Sequence, residues 1–489
     1  MQTWVAAETE GLDLGDTRLN KRCRSILKDL GDKPAMSIPA ACGGWSETLA
    51  AYRFFDNSSI TPDKILEPHR NSTLKRMSME SVVVVAQDTT VLTLTRPEQQ
   101  MAGAGPLSDE RKYGMFDHPC LALNAQGVPL GILSARLWSR EWETFYANKS
   151  LTASEKVVAK RAIPFTDKES HRWLEGYMQG CQAAQVCPQT QIIVVSDSEA
   201  DIIDCFAYAN EVRAKEDVSA DWITRAFQDR SLTKSHDHSK LWEACENAPV
   251  LTTLGVEVRE NNPKSGDKTK RNQKRSARNT EVEVRALTVE VKGQSRIEGN
   301  LSAQKINVVH TREIHPPAGE RPVEWLLLTS LDIGTVDNVV QIIRYYALRW
   351  QIEIYFRILK VGCGIEELHF EKIERYQRCL AVYMVVAWRV FYLTMLGRAC
   401  PEMSCESVLE PEEWKALYTV VNKKPAPSAP PKLEQTLKWI AQLGGHLGRK
   451  GDGPPGPQTT WIGLQRLRDF AIAWTIFGPE AQAKPPTCV

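Results

Sequence analysis

"SVVVVAQDTTVLTL", residues Ser81 to Leu94, sets five consecutive apolar side chains, Val82 to Ala86, shortly before a carboxylate at Asp88. A short run with no polar alternation is the pattern of a strand buried on both faces, as in a parallel sheet covered by helices. "QIIVVSDSEADIIDCFAYANEV" repeats the arrangement: Ile192 to Val195 read as a second buried strand, Asp197 follows, and a helical pattern continues. Glu199 and Asp201 compete with Asp197, which follows the strand most closely; the other two are expected to face the helix or solvent. Taken singly, each aspartate also fits an N-cap or a turn residue.

Working outward, "CLALNAQGVPLGILSARLW" reads as two strands joined through Asn124 to Gly127, a hairpin. From Glu216 to His315 the texture changes to alternating strands, "TEVEVRALTVEVK" and "KINVVHTREI", with a charged loop between Arg259 and Arg278. "VEWLLLTSL" then restores a buried strand that leads into a helix. With the β-rich segment set aside, the order is strand, strand, strand, helix, strand, helix, strand, helix. That is the order of an α/β, ribonuclease-H-like core, a mixed sheet with helices interrupted by a β-rich insertion. Helical modules flank it. The expected division is 1–72 helical, 73–215 core, 216–320 insertion, 321–400 core again with a glutamate-bearing helix, and 401–489 helical, entered near a Pro-rich connector, "NKKPAPSAPPK".

A chain of 489 residues with 42% hydrophobic content supports several cores, and its formal charge of +1 excludes a global basic field. Twelve cysteines without a C-x-x-C pair, and an acidic start where a secretory signal needs a basic then apolar run, point to a reduced, cytoplasmic protein. "CLAVYMVVAWRVFYLTMLG", Cys379 to Gly397, is long enough for a membrane, but Arg389 sits near its middle, so it is expected to be a buried core helix.

"YALRWQIEIYFRILK", Tyr346 to Lys360, bears on the chemistry. At 100° per residue, Tyr346, Arg349, Glu353 and Lys360 project at about 0°, 300°, 340° and 320°, with Arg357 and Trp350 beside them. One continuous helix is expected, with a carboxylate flanked by cations and aromatics along about 21 Å. Ordinary i, i+4 ion pairs are the competing explanation of this stripe. Two strand-end aspartates and a helix glutamate, without a His or Cys cluster, form a hard oxygen site suited to Mg²⁺ or Mn²⁺. Two such ions support in-line phosphoryl displacement.

Asp88 in "QDTT", Asp197 in "SDSEADI", and the Y-x2-R-x3-E-x6-K spacing of Tyr346, Arg349, Glu353 and Lys360 resemble the signature of bacterial cut-and-paste insertion-sequence DDE transposases. The likeness is to the branch used for DNA tagmentation. "LGDTRLNKR" and "AAYRFFDN" are similar to its end-binding domain, "HPPAGERPVEWLLLTS" to the segment after its insertion, and the last eighty residues to its dimerisation region. The resemblance implies a cytoplasmic enzyme that binds the terminal inverted repeats of its element as a homodimer. It nicks DNA, passes through a hairpin and joins the end to target DNA, with no membrane and no organic cofactor involved. Asp88, Asp197 and Glu353 would be the catalytic residues and the ligands of two Mg²⁺ ions, with Mn²⁺ as substitute. Tyr346, Arg349 and Lys360 would contact phosphates near the cleaved end.

A hairpin requires unstacking, and a flipped base needs an aromatic platform. Trp325 matches the family's stacking tryptophan, although a strand tryptophan also serves a core; Trp350 is a second candidate. Arg225 in "DWITRAF" resembles a basic residue of the family's insertion. Arg18, Lys21, Arg22 and Arg53 are candidates for end contact, or plain surface charges. The basic loop Lys264 to Arg278 reads either as a solvated run or as a DNA contact. "GGHLGRKGDGPPGP" fits no phosphate-binding loop and is a connector. The competing functions are a metal-dependent nuclease without strand transfer and a catalytically silent, transposase-derived DNA-binding protein.

Overall fold

Buried valines decide the central strands. In the computed structural model, which describes residues 3–96, 100–108, 111–258, 260, 275–294, 300–449 and 451–479, Val83 to Ala86 and Ile192 to Val195 are fully buried. The two runs pair in parallel, Val82 opposite Gln191 through Ala86 opposite Val195. The chain divides into two compact units, one of residues 81–88 and 151–349, the other of residues 1–80, 89–150 and 350–489.

In the first unit the strands Val82–Gln87, Gln191–Ser196 and Asp221–Arg225 run parallel. The helix Arg172–Val186 packs closely on them: a Cβ added at Gly180 would meet Val194 Cγ2 at 2.4 Å. Asp221–Arg225 lies inside the span expected to belong to the insertion, yet its parallel partner is the core strand Gln191–Ser196. Its other neighbour, antiparallel, is Glu324–Thr329. The insertion strands continue outward from there: Gln304–Glu313, Arg278–Val291 and Val250–Val258, each antiparallel to the last. The insertion is therefore an extension of the core sheet, with Val282 and Val284 buried on one face of Arg278–Val291 and Val289 and Val291 on the other. Arg278 is tied to Glu313 at 2.8 Å and Glu320 at 2.7 Å. The rest of the basic loop, up to residue 274, lies outside the described residues.

The second unit begins with five helices between Trp4 and Met77. Asp16 caps Thr17–Asp32 by accepting from the Arg18 amide, and Thr61 caps Pro62–Met77. The expected hairpin joins Tyr113–Asn124 to Pro129–Trp138. Its turn is held by Asn124 Oδ1, which accepts from the amides of Gln126 and Val128, and by Gly127 at φ +80°. The long apolar helix Ile373–Ala399 is the axis of this unit, and 89% of its apolar window is buried inside the protein. Its polar members are used internally. Arg378 donates to the carbonyls of Ile60 and Phe55, Trp388 to that of Pro129, and Arg389 to that of Val408. Beside it, His69 Nε2 accepts from the Ile132 amide, which leaves Nδ1 as the donor to Glu8. Burial raises the Glu8 carboxyl, but His69 and Arg76 outweigh it and hold the carboxyl down at about 2. The helices Pro411–Asn422, Leu433–Leu443 and Pro457–Phe477 pack on its end through Trp414, Leu437 and Leu467. Among the described residues the cysteines are free thiols.

The segment read as one continuous helix is built in four pieces. An α-helix, Val336–Ala347, gives way to a 3₁₀ turn, Leu348–Trp350, then an α-helical stretch, Gln351–Arg357, and a π turn, Ile358–Gly362. A 3₁₀ turn advances about 120° per residue, so the uniform 100° projection fails here. The expected uniform stripe is corrected accordingly: Tyr346 and Arg349 are buried, at 3% and 7% exposure, while Trp350, Glu353 and Arg357 are exposed.

Candidate active site and DNA interface

Parallel pairing brings the carboxyl ends of Val82–Gln87 and Gln191–Ser196 side by side, and each is followed at once by its aspartate. Asp88 is partly buried and accepts a hydrogen bond from Arg349 Nη1 at 2.9 Å. Asp197 is half-buried and caps the 3₁₀ turn Ser198–Ala200, its Oδ1 accepting from the Glu199 amide at 2.7 Å. Oxygen donors at neighbouring strand ends, one of them already holding a cationic partner, fit a hard divalent cation. Among the described residues, no group of three or more His, Cys, Asp or Glu side chains is placed to hold a metal ion.

The competing carboxylates separate clearly. Glu199 is exposed, as expected, and meets Arg172 at 2.8 Å. Asp201 faces neither helix surface nor solvent: its side chain is 1% exposed. One oxygen accepts from the amides of Phe227 and Gln228, the other from Arg230 Nε at 2.8 Å. It fastens the loop after Asp221–Arg225 to the turn after Asp197, a structural task that its position two residues before a helix did not disclose.

Aromatic and basic candidates gather in the same unit. The Tyr346 ring lies 6.3 Å from that of Trp325, tilted by 59°. Burial raises the Tyr346 phenol, Arg349 and Arg225 lower it, and Asp197 raises it again, so all three charges are its electrostatic neighbours. Trp325 is half-buried on Glu324–Thr329 and Arg225 is exposed at the end of its strand, with Leu327 as its register partner. The structure thus brings Tyr346, Arg349, Arg225, Trp325 and Asp197 into one neighbourhood.

In the other unit, Glu353 occupies the first turn of Gln351–Arg357, exposed. Lys360 is three-quarters buried, donates to the Val91 carbonyl and stands 3.9 Å from Glu366. Burial lowers its ammonium, and Glu366 and Asp117 raise it. Trp350 is 54% exposed. Arg18 is exposed but paired with Asp16 at 2.8 Å, Arg22 is half-buried, and Arg53 is exposed in the last turn of Trp45–Asp56.

Asp117 was missed in the sequence, although an aspartate inside "GMFDHPCLAL" interrupts a mostly apolar strand. It is fully buried, and among the described residues neither oxygen has a hydrogen-bond partner. Burial pushes its carboxyl up to about 8 against the pull of Lys360. Because the folded-state value lies above the ordinary 3.8, the group weighs on the fold only above that pH, increasingly up to about 8. Asp117→Asn is therefore expected to be more stable than the parent at pH 8, by on the order of a few kcal/mol, and by less than about 1 kcal/mol at pH 4. Thermal melts at the two pH values check this; an equal difference at both would show that Asp117 is not the titrating group.

A sheet of this order, with acidic residues closing its parallel strands, places the protein in the class of ribonuclease-H-like nucleic-acid enzymes. Three family descriptions match successive parts of the chain: transposase DNA-binding over residues 1–60, transposase DDE domain over 212–387, and transposase Tn5 dimerisation domain over 385–475. Among solved structures, a cryo-EM structure of the piggyBac transposase synaptic complex with hairpin DNA is similar at a TM-score of 0.38 and 9% identity, over 99% of this chain and 78% of that one. The chain belongs to the Tn5-like DDE transposases. It is a transposase-type nuclease by its DDE domain, and it carries the domains by which such proteins bind DNA and dimerise.

Proposed function

We propose that this protein binds the terminal inverted repeats of its own element and catalyses cut-and-paste transposition: nicking, a hairpin intermediate, its reopening, and strand transfer into target DNA. The observation that carries the reading is Asp88 and Asp197 at adjacent parallel strand ends, with Arg349 bonded to Asp88 and with Tyr346, the neighbour of Trp325 and Arg225, feeling the charge of Asp197. Asp88, Asp197 and Glu353 are the ligands in this reading. Two Mg²⁺ ions, or Mn²⁺ in their place, would supply activation of the attacking oxygen and neutralisation of the leaving one.

The remaining work belongs to the chain itself. Arg349 offers a planar fork to a phosphate beside the scissile bond, and Lys360 a point charge. Tyr346, buried against Trp325, orients its hydroxyl in the same neighbourhood. Trp325 stacks a base turned out of the duplex at the hairpin step, and Trp350, exposed, is available to a neighbouring base. Arg18, Arg22, Arg53 and Arg225 contact the backbone of the transposon end. Residues 1–72 form the end-binding domain, 73–215 and 321–400 the catalytic core together with the strand Asp221–Arg225, the rest of 216–320 the insertion, and 401–489 the domain that pairs two copies in a synaptic complex. The reaction takes place in the cytoplasm, on the nucleoid.

The test is incubation of the protein with labelled DNA carrying its native ends, with Mg²⁺, Mn²⁺ or EDTA, resolved on a denaturing gel. Nicks, hairpins and joined ends that appear with either cation and vanish with EDTA are expected. Nicking without joining would replace the proposal with a nuclease, and shifted but uncut DNA in every condition would replace it with a silent binding protein.

A further inference from the structure

The residue immediately before each strand-end aspartate is polar and buried. Gln87 and Ser196 are 2% and 3% exposed, on strands whose other buried residues are valine, isoleucine and alanine. Side chains alternate along a strand, so neither points where its neighbouring aspartate does. They meet each other instead: Gln87 Nε2 donates to Ser196 Oγ at 2.9 Å and to the carbonyl of Trp173, on the helix Arg172–Val186, at 3.2 Å. The last paired residues of the two strands are Ala86 and Val195. Beyond that pair, this side-chain bond ties one strand end to the other, one residue short of both carboxylates. Ser196 is in turn the register partner of buried Thr224 on the third parallel strand.

A buried polar pair costs desolvation, and a valine–valine pair would pack here without that cost. The cost is repaid by direction: a hydrogen bond fixes a separation to a few tenths of an ångström, whereas apolar contact does not. We infer that Gln87 and Ser196 are positioning residues that set the spacing of Asp88 and Asp197, with the Trp173 carbonyl fixing the Gln87 amide from the helix side. This rests on the reading of the two aspartates as metal ligands. Partners standing behind metal ligands typically change metal affinity 10- to 100-fold when removed, roughly the scale expected here.

The test compares Gln87→Leu, Ser196→Ala, the double variant and Ser196→Thr. A cavity of about 20 Å³ adjoins Gln87 and Ser196, so leucine at 87 meets slack. Two readouts are taken on protein with end DNA: Mn²⁺ occupancy by electron paramagnetic resonance, and the Mn²⁺ concentration for half-maximal cleavage. Gln87→Leu is expected to raise the Mn²⁺ concentration for half occupancy and that for half-maximal cleavage, each by about 10-fold or more, with end binding unchanged and cleavage recovered at saturating Mn²⁺. Ser196→Ala shifts them in the same direction, the double variant no further than Gln87→Leu, because one bond is shared. Ser196→Thr, which keeps the hydroxyl, stays near the parent. Unchanged Mn²⁺ occupancy in Gln87→Leu would overturn the inference. If Gln87→Leu does not fold, Ser196→Ala set against Ser196→Thr decides it, and equal values for those two would overturn it as well. A parent protein that holds Mn²⁺ but never cuts would overturn the transposition reading alone, and the occupancy series would still judge the positioning pair.

Discussion

Glu353→Gln is expected to lower strand cleavage by three orders of magnitude or more, about 4 kcal/mol of transition-state stabilisation, while end binding stays within about threefold. The substitution keeps size and shape and removes one negative charge together with a hard anionic donor. Glu353 is exposed on the first turn of Gln351–Arg357, and exposed substitutions usually change stability by no more than about 0.5 kcal/mol. A lost activity is then not a lost fold. Binding is spared because phosphates are met by cations, and removing a carboxylate near them does not repel DNA. The measurement pairs single-turnover cleavage on a gel with a mobility shift on the same end. Wild-type cutting by Glu353→Gln would move the third ligand elsewhere. Glu199 is the candidate that would inherit the role, since it is exposed beside Asp197 and paired with Arg172.

What could be read in the sequence follows a physical rule. Val82 to Ala86 and Ile192 to Val195 were legible because burial on both faces leaves an unbroken apolar run, and the hairpin at Asn124 because a turn needs its own chemistry. The insertion was legible as strands but not as an extension of the core sheet, because alternation records which face is buried and not which strand lies alongside. Asp221–Arg225 is the clearest case: four residues of "DWIT" carry no trace of a parallel partner. The pitch changes after Ala347 were hidden too, since a 3₁₀ turn and a π turn use the same residue types as an α-helix. At the site, Asp88 and Asp197 were read from strand ends, whereas Asp201, equally acidic and four residues along, proved to be a buried anchor for Arg230. Side-chain partnership over a long sequence separation, as between Gln87 and Ser196 or Asp88 and Arg349, leaves no local signal.

Arg349→Ala is expected to move two quantities in opposite directions. Cleavage falls about 10²- to 10³-fold, the usual loss when one preorganised donor to a reacting phosphate or oxyanion is removed. Mn²⁺ binding to the protein without DNA becomes tighter, because the guanidinium that bonds Asp88 Oδ2 at 2.9 Å is a cation in competition for the same carboxylate. The competition is strong because Arg349 is nearly buried, where charges are less screened than at the surface. Arg349→Lys should fall between: the charge remains, but an ammonium lacks the fork that spans a phosphate, so cleavage recovers in part while Mn²⁺ affinity stays near the parent value. Calorimetric Mn²⁺ titration without DNA, set beside cleavage on end DNA at saturating Mn²⁺, separates the two effects. If Mn²⁺ affinity falls along with cleavage in Arg349→Ala, Arg349 is a scaffold for Asp88 and not its competitor. If affinity rises, a phosphate that draws Arg349 away also frees Asp88, so docking of the DNA end and loading of the cation become one coupled event.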